Sequence, residues 1–313
     1  MTLPDAYTHT RRRPEPGDYD HYASALLTTL SVADVEQRTG LRLQTDADVT
    51  LQPGGGWLNP QVCTRYCLSH PRINVVTGQH VAHIQKSVNN DLSSQNNEPV
   101  WQTLDAQGNV LAQADALFIC TSYAARQLPQ AADLPVYPLR GQISHLTATA
   151  ASAELRTVIC GERYLAPAHG GQHCVGASYI KCPPASPATP ADYLMEQQLD
   201  ETEHEQNLAG LGTIAAQLGL DANSTPQGRA SVRGSSGDFM PMGGMLAEAG
   251  LYISVGHGSH GTTTCPLIAE HLAALACGEI SPLSTDAASC IDPERFTERR
   301  RRREQRSRRQ PAK

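Results

Sequence analysis

The sequence has no apolar run near the ~18 residues that a membrane-spanning helix needs, and its opening residues, MTLPDAYTHTRRRPEPGDYD, lack the apolar core of a secretory signal. No membrane association is therefore expected, and the expected setting is cytoplasmic. Aromatic residues are few, at 5% of the chain, and no internal repeat recurs. Metal-type CxxC pairs are absent too. The nine cysteines, at 63, 67, 120, 160, 174, 182, 265, 277 and 290, point in such a chain to reduced thiols rather than a disulfide framework. Cys63, Cys67 and His70 are spaced i, i+4, i+7 on an expected helix, which could put three ligands on one face. Without a CxxC partner they read instead as small buried side chains, and no metal is expected.

What is present is a chain of 313 residues, long enough for a substantial core in one large domain or two intertwined ones. Gly 25, Pro 21 and a mean hydropathy of −0.37 suit a loop-rich α/β protein better than a helix bundle. Charge is uneven. The segment Arg299 to Arg309 holds eight arginines and one glutamate, net +7 in a chain of net −6, so the remainder carries −13. Such a tail reads either as a solvated, disordered end or as a footprint for a phosphate backbone.

The most organised stretch is Leu251 to Gly278, LYISVGHGSHGTTTCPLIAEHLAALACG. It reads as strand, glycine loop and helix, with Leu267, Ile268, Leu272 and Leu275 at helical spacing. Thr262, Thr263 and Thr264 offer N-cap hydroxyls, Pro266 suits the first turn and Gly278 a C-cap. A helix entered this way points unpaired N–H groups at whatever sits over the loop, and an electron-rich or anionic guest fits there. The alternative is a plain strand-to-helix turn eased by glycine.

Along the chain, residues 1–20 read as disordered, His21 to Glu36 as a helix and Ala47 to Gln52 as a strand. A turn over Gln52 to Pro60 delivers Trp57, expected as a packing anchor, to a helix over Asn59 to Ser69 capped by Asn59. Trp101 to Leu104 and Val110 to Ala112 read as a hairpin, and Asp115 to Cys120 as a strand buried on both faces. Its polar exit, Thr121-Ser122-Tyr123, lies where open α/β sheets hold ligands. Segments over Val136 to Tyr179 read as an antiparallel sheet, Glu201 to Leu220 as one helix, and Arg229 to Gly234 as a strand. The expected fold class is thus α/β, a discontinuous cofactor-type domain (54–130 and 226–296) with an antiparallel-sheet domain (21–53 and 131–225) inserted into it, followed by a basic disordered tail (297–313).

Several strings carry a collinear likeness over about residues 45 to 296: Gly55-Gly56-Trp57-Leu58-Asn59-Pro60, Gly141-Gln142-Ile143-Ser144-His145, Tyr164-Leu165-Ala166-Pro167, Ser231-Val232-Arg233 and Gly258-Ser259-His260-Gly261. In these the chain resembles the FAD-dependent amine oxidoreductases typified by D-amino acid oxidase and glycine oxidase, and among them the oxidoreductase domain of bifunctional tRNA wobble-uridine modification proteins. The resemblance implies that the cofactor-type domain is an incomplete FAD-binding Rossmann-like domain interleaved with an antiparallel-sheet substrate domain, as in D-amino acid oxidase. It also implies FAD as cofactor, tRNA as partner, and removal of the carboxymethyl group from 5-carboxymethylaminomethyl-uridine, which is oxidation of an N-substituted glycine. By the same resemblance Arg233 receives the substrate carboxylate, with His260, Tyr164 and Tyr179 at the substrate. Gly256, His257, Gly258, Ser259, His260, Gly261, Thr262 and Thr263 lie along the flavin, and the Val81 backbone meets the adenine. Two other readings stay open, a non-catalytic tRNA-binding remnant with Arg299 to Arg309 on phosphates, and a free glycine- or sarcosine-type oxidase.

The chain departs from the family at its start, where the strand, GxGxxG and helix that grip the FAD pyrophosphate are not found. No methyltransferase half accompanies it. The expectation is a fragment, with a decayed paralogue as the alternative, that alone binds FAD poorly or not at all.

Overall fold

The computed structural model describes residues 26–41, 49–88, 99–182, 197–220, 227–299 and 301. The expectations for residues 1–20 and for most of the arginine tail lie outside them.

In chain order, β1 (Thr28–Leu30) leads to α1 (Val32–Thr39), β2 (Val49–Leu51) and α2 (Pro60–Cys67). Then come β3 (His83–Val88), β4 (Pro99–Leu104), β5 (Val110–Ala114) and β6 (Leu117–Ile119). They are followed by β7 (Val136–Thr147), β8 (Ile159–Cys160), β9 (Tyr164–Leu165), β10 (Gln172–Gly176) and β11 (Ile180–Lys181). The remainder is α3 (Glu201–Ala209), α4 (Thr213–Gln217), β12 (Gln227–Ser236), β13 (Met242–Met245), β14 (Leu251–Val255), α5 (Gly261–Cys277) and α6 (Thr285–Ile291). The chain divides into two compact units, one from 1–63, 140–180 and 194–231, the other from 64–139, 181–193 and 232–313.

The first unit is built on antiparallel pairing, with strand order β11-β7-β10-β9-β8 and β12 also on β7. Leu146, Leu165 and Val175 from the sheet pack with Leu208, Leu211, Leu218 and Leu220 into one core. The single helix expected over Glu201 to Leu220 is two. Gly212 turns to φ 57 between α3 and α4, and the break lets Leu211 and Leu218 both reach the core. Near the start the expected helix is displaced as well. Thr28 and Thr29 are β-branched and pair with β2, and α1 begins only after Ser31, whose side chain and Asp34 form a reciprocal cap. Trp57 is 47% exposed, its ring tilted 6.0 Å from His169, so it is no buried anchor.

The second unit holds the expected hairpin, β4-β5, extended by β3 on β4, and a three-stranded sheet ordered β13-β14-β6. In the latter, β14 pairs parallel with β6 and antiparallel with β13. Alternation along β14 is the organising device. Leu251, Ile253 and Val255 enter a core with Ile84, Trp101, Ile119 and Met242, while Tyr252 on the opposite face packs with Ile268 and Leu272 of α5 and Ile291 of α6. At Gly250, φ +80, an added Cβ would stand 2.8 Å from Asp115 O and 3.1 Å from the Trp101 indole nitrogen, so the turn into β14 demands glycine. The strand β6 is not buried on both faces as its run of apolar residues suggested. It is at the edge of its sheet, and Phe118 stays 40% exposed, stacked on Tyr252 at 4.9 Å.

Among the described residues no helix is long and apolar enough to cross a membrane, and no group of three or more His, Cys, Asp or Glu is arranged to hold a metal ion.

Candidate functional site at the carboxyl end of β14

The strand, loop and helix read from Leu251 to Gly278 form as expected, with β14 ending at Val255 and α5 closing on Gly278 in the left-handed conformation. The entry differs in detail. The helix starts at Gly261, its cap residue His260 makes no side-chain capping bond, and Pro266 lies within the helix rather than in its first turn. Thr264 is engaged instead in fixing the loop. Its hydroxyl donates to His260 O at 3.0 Å and meets His257 Nδ1 at 2.8 Å, while His257 Nε2 lies 3.0 Å from Ser254 Oγ. Since the Thr264 proton is committed to the carbonyl, Nδ1 carries the imidazole proton and Nε2 accepts from Ser254. Burial lowers the His257 pKa, in keeping with that neutral ring.

Gly256 and Gly258 bend the loop at φ 75 and 55. At Gly256 a Cβ would also press on Met242 Cε at 3.3 Å. Together with Gly261 they satisfy G-x-G-x-x-G between a strand and a helix. Only the first two are demanded by conformation, because a Cβ at Gly261 would meet nothing closer than 3.6 Å.

Beside this loop lies a cavity of about 600 Å³ contained within the second unit. Phe118 and Cys120 at the end of β6 form one wall, Cys265, Ala269 and Ala273 of α5 another, and Gly256 to Gly258 with Arg233 the polar end. Burial raises the thiol pKa of Cys120 and of Cys265, and the neighbouring Cys265 adds to the shift at Cys120, so both stay neutral at ordinary pH. Charge at the cavity therefore comes from Arg233, which is half-buried and donates from Nη1 to Ser259 Oγ at 3.1 Å. Ser122 also lines the cavity and accepts from Gly234 N at 2.7 Å.

The structure thus brings Arg233, Gly256, His257 and Gly258 to one cavity and ties Ser259 to Arg233, while His260, Gly261, Thr262 and Thr263 continue the loop into α5. Val81 is 40% exposed in the extended stretch before β3. Tyr164 and Tyr179, both half-buried, belong to the first unit. Phe118, Cys120, Cys265 and Gly234 were not foreseen as site residues. The carboxyl-end position of Cys120 was available as a signal, since the next three residues were already marked by it.

Residues 10–275 match the family model described as FAD dependent oxidoreductase. The chain belongs to this family. Among its relatives, the tRNA 5-methylaminomethyl-2-thiouridine biosynthesis bifunctional protein MnmC of Pseudomonas putida is 33% identical over 330 residues, covering 95% of this chain and 46% of that protein. The protein of the same name from Chromobacterium violaceum is 32% identical over 274 residues, 78% of this chain and 38% of its own length. The chain spans less than half the length of these curated relatives. Among solved structures, glycine oxidase from Geobacillus kaustophilus superimposes with a TM-score of 0.61 at 19% identity, covering 84% of this chain and 66% of that one. L-proline dehydrogenase from P. horikoshii gives 0.64 at 15%, covering 88% and 70%. The fold is therefore that of the D-amino acid oxidase type, as expected.

FAD is the cofactor of this FAD dependent oxidoreductase family, and the residues present fit its ring end. The loop offers bare backbone at Gly256 and Gly258, the first turn of α5 holds no acidic residue, and the cavity walls are apolar.

Burial lowers the pKa of three histidines, His204, His257 and His271, from the usual 6.5, against weaker upward pulls from Glu201 and Glu205 at His204 and from Asp292 at His271. Between the folded values and 6.5 the unfolded chain binds more protons, so their stability contribution is full above that pH and is lost as pH falls below it. Thermal melting at pH 5.5 is expected well below that at pH 7.5. A flat profile across this interval would show that the three imidazoles protonate freely in the fold.

Proposed function

We propose that this chain is the oxidoreductase that removes the carboxymethyl group from 5-carboxymethylaminomethyl-uridine at the tRNA wobble position. The observation that carries the reading is Arg233, a forked cation beside the glycine loop at the carboxyl end of β14 and lining the same cavity. Bound FAD supplies the electron sink for a hydride leaving the carbon between the amine and the carboxylate. Arg233 holds the carboxylate of that N-substituted glycine, and its planar fork fixes orientation as well as position. The first turn of α5 and the amides over Gly256 to Thr263 favour negative charge at the ring. The apolar walls keep water from the cavity until the substrate imine is released to hydrolysis, which gives the aminomethyl nucleoside and glyoxylate. By the family resemblance Val81 is assigned to the adenine, and Tyr164 and Tyr179 to the substrate. His260 faces the substrate.

A second reading has support in the fold neighbours, which include glycine oxidase. It makes the chain a free glycine or sarcosine oxidase with the same use of Arg233. The two separate by substrate. The protein supplied with FAD is expected to convert tRNA carrying 5-carboxymethylaminomethyl-uridine to the aminomethyl form, read by mass spectrometry of the digested nucleosides. Turnover of glycine or sarcosine with no change in the tRNA would select the free-amino-acid oxidase, and tRNA binding with no flavin retained would select a non-catalytic remnant.

For tRNA contact the arginine tail is the proposed surface. Its first residue, Arg299, already donates to Asp238 at 2.6 Å. The deletion that tests the tail should therefore begin beyond it, at residue 302, and weaken tRNA binding most at low salt.

A further inference from the structure

The inference rests on Arg233 as the carboxylate receptor. Two serine hydroxyls far apart in sequence converge on the arginine and the residue after it. Ser122, which opens the 3-10 turn after β6, takes φ 56, a left-handed conformation that few non-glycine residues adopt. In that conformation its Oγ accepts from Gly234 N at 2.7 Å across 112 residues. The fit is close. A Cβ on Gly234 would lie 2.8 Å from Ser122 Oγ, 2.9 Å from Tyr123 N and 2.9 Å from Val136 Cγ1. The backbone that carries Arg233 is thereby clamped against the exit of β6. At the other end of the side chain, Arg233 Nη1 donates to Ser259 Oγ at 3.1 Å, and Ser259 sits on the loop that His257 ties to Ser254 and Thr264.

We infer that Ser122 and Ser259 are positioning residues for Arg233, one fixing its backbone and the other its guanidinium, so that the fork is aimed before a carboxylate arrives. The hydrogen bond from Gly234 N offsets the backbone strain at Ser122. Pre-orientation reduces the rotamer freedom that the ligand would otherwise have to freeze.

The test uses the full chain and N-acetylglycine, a carboxylate probe that resists oxidation, with N-acetylglycinamide as the uncharged control. Ser122→Gly keeps the backbone conformation and removes the hydroxyl, Ser259→Ala removes the other hydroxyl, and Ser259→Thr restores it. Each hydroxyl loss is expected to weaken N-acetylglycine binding about fivefold, with control binding and melting temperature unchanged and Ser259→Thr near wild type. In ligand-free protein the NMR order parameter of Arg233 Nε should fall from about 0.8 to below about 0.6 in Ser259→Ala and recover in Ser259→Thr. If Arg233→Gln abolishes probe binding while both serine variants bind as wild type with a rigid Arg233, the positioning role is overturned and the arginine assignment stands. If wild type fails to bind the probe, or Arg233→Gln binds it equally well, the arginine assignment itself falls. Should Ser122→Gly lower the melting temperature, the Ser259 pair and its order parameters decide alone.

Discussion

Arg233→Gln is expected to lower kcat/KM for an N-substituted glycine by about a hundred- to a thousandfold, the usual loss when one partner of a desolvated, hydrogen-bonded ion pair is truncated. Glutamine keeps a planar donor but is shorter, carries no charge, and offers two N–H groups on one nitrogen where guanidinium offers a five-donor fork. Arg233→Lys separates the two contributions. It retains the charge and loses the bidentate geometry, so a loss of about tenfold is expected. The assay should run at saturating added FAD, so that the ratio reports the side chain and not cofactor loading. If the carboxylate is held equally in the bound and transition states, the loss falls on KM. If the arginine also presents the reacting C–H bond, kcat falls with it. Activity of Arg233→Gln within threefold of wild type would remove the observation on which the proposed function rests.

How much of this site the sequence discloses depends on whether a residue's role is set locally. The stretch from Leu251 to Gly278 is legible because its strand, glycine turn and helix each follow from neighbouring residues, and the structure keeps all three. The hairpin of β4 and β5 is legible for the same reason, its turn written in Asp105 to Asn109, where Asp105 Oδ1 accepts from Gln107 N and Asn109 N. What escapes is set by distant partners. Nothing around Ser122 in sequence announces a left-handed serine, since the hydrogen bond that rewards it comes from Gly234. The edge position of β6 is also invisible locally, because Leu117 to Ile119 looks the same whether α5 covers it or, as here, packs with β14 and α6. The threonines after Gly261 invite capping, yet the helix begins before them and Thr264 serves His257 and His260 instead. Ser31 and Asp34 form a local capping pair that marks the true helix start, and the β-branched pair Thr28 and Thr29 just before it pairs as a strand.

The largest stability loss is expected from Arg295→Met in the second unit. Arg295 is 7% exposed and spends all five of its N–H groups. Nε and Nη2 grip Asp238 at 3.1 and 3.0 Å, Nη2 also reaches Met240 O at 2.8 Å, and Nη1 donates to Ile291 O and Asp292 O at 3.0 and 2.9 Å. This one side chain pins the turn before β13 to the end of α6. Methionine fills the volume of the stem but withdraws all five N–H groups, leaving Asp238 with Arg299, Ser236 Oγ and Met240 N and Met240 O with Ser236 Oγ alone, for a cost of about 3–5 kcal/mol and a fall in Tm of about 10 °C. Asp238 gives the test its pH signature. Burial alone would raise its pKa, but the Arg295 hydrogen bonds and charge, with Arg299 and the Met240 N–H, outweigh that and hold it at about 2 against the usual 3.8. Because the folded value is the lower one, the unfolded chain binds the extra proton between these two values. The stabilisation is therefore complete above pH 3.8 and is lost as pH falls toward 2. Discounted for the partial exposure of the carboxylate, it amounts to about 1–2 kcal/mol. Urea unfolding of wild type and Arg295→Met should consequently differ most near neutral pH and converge in acid. A constant difference down to pH 2 would place the stabilisation in the carbonyl contacts of Arg295 and not in its pairing with Asp238.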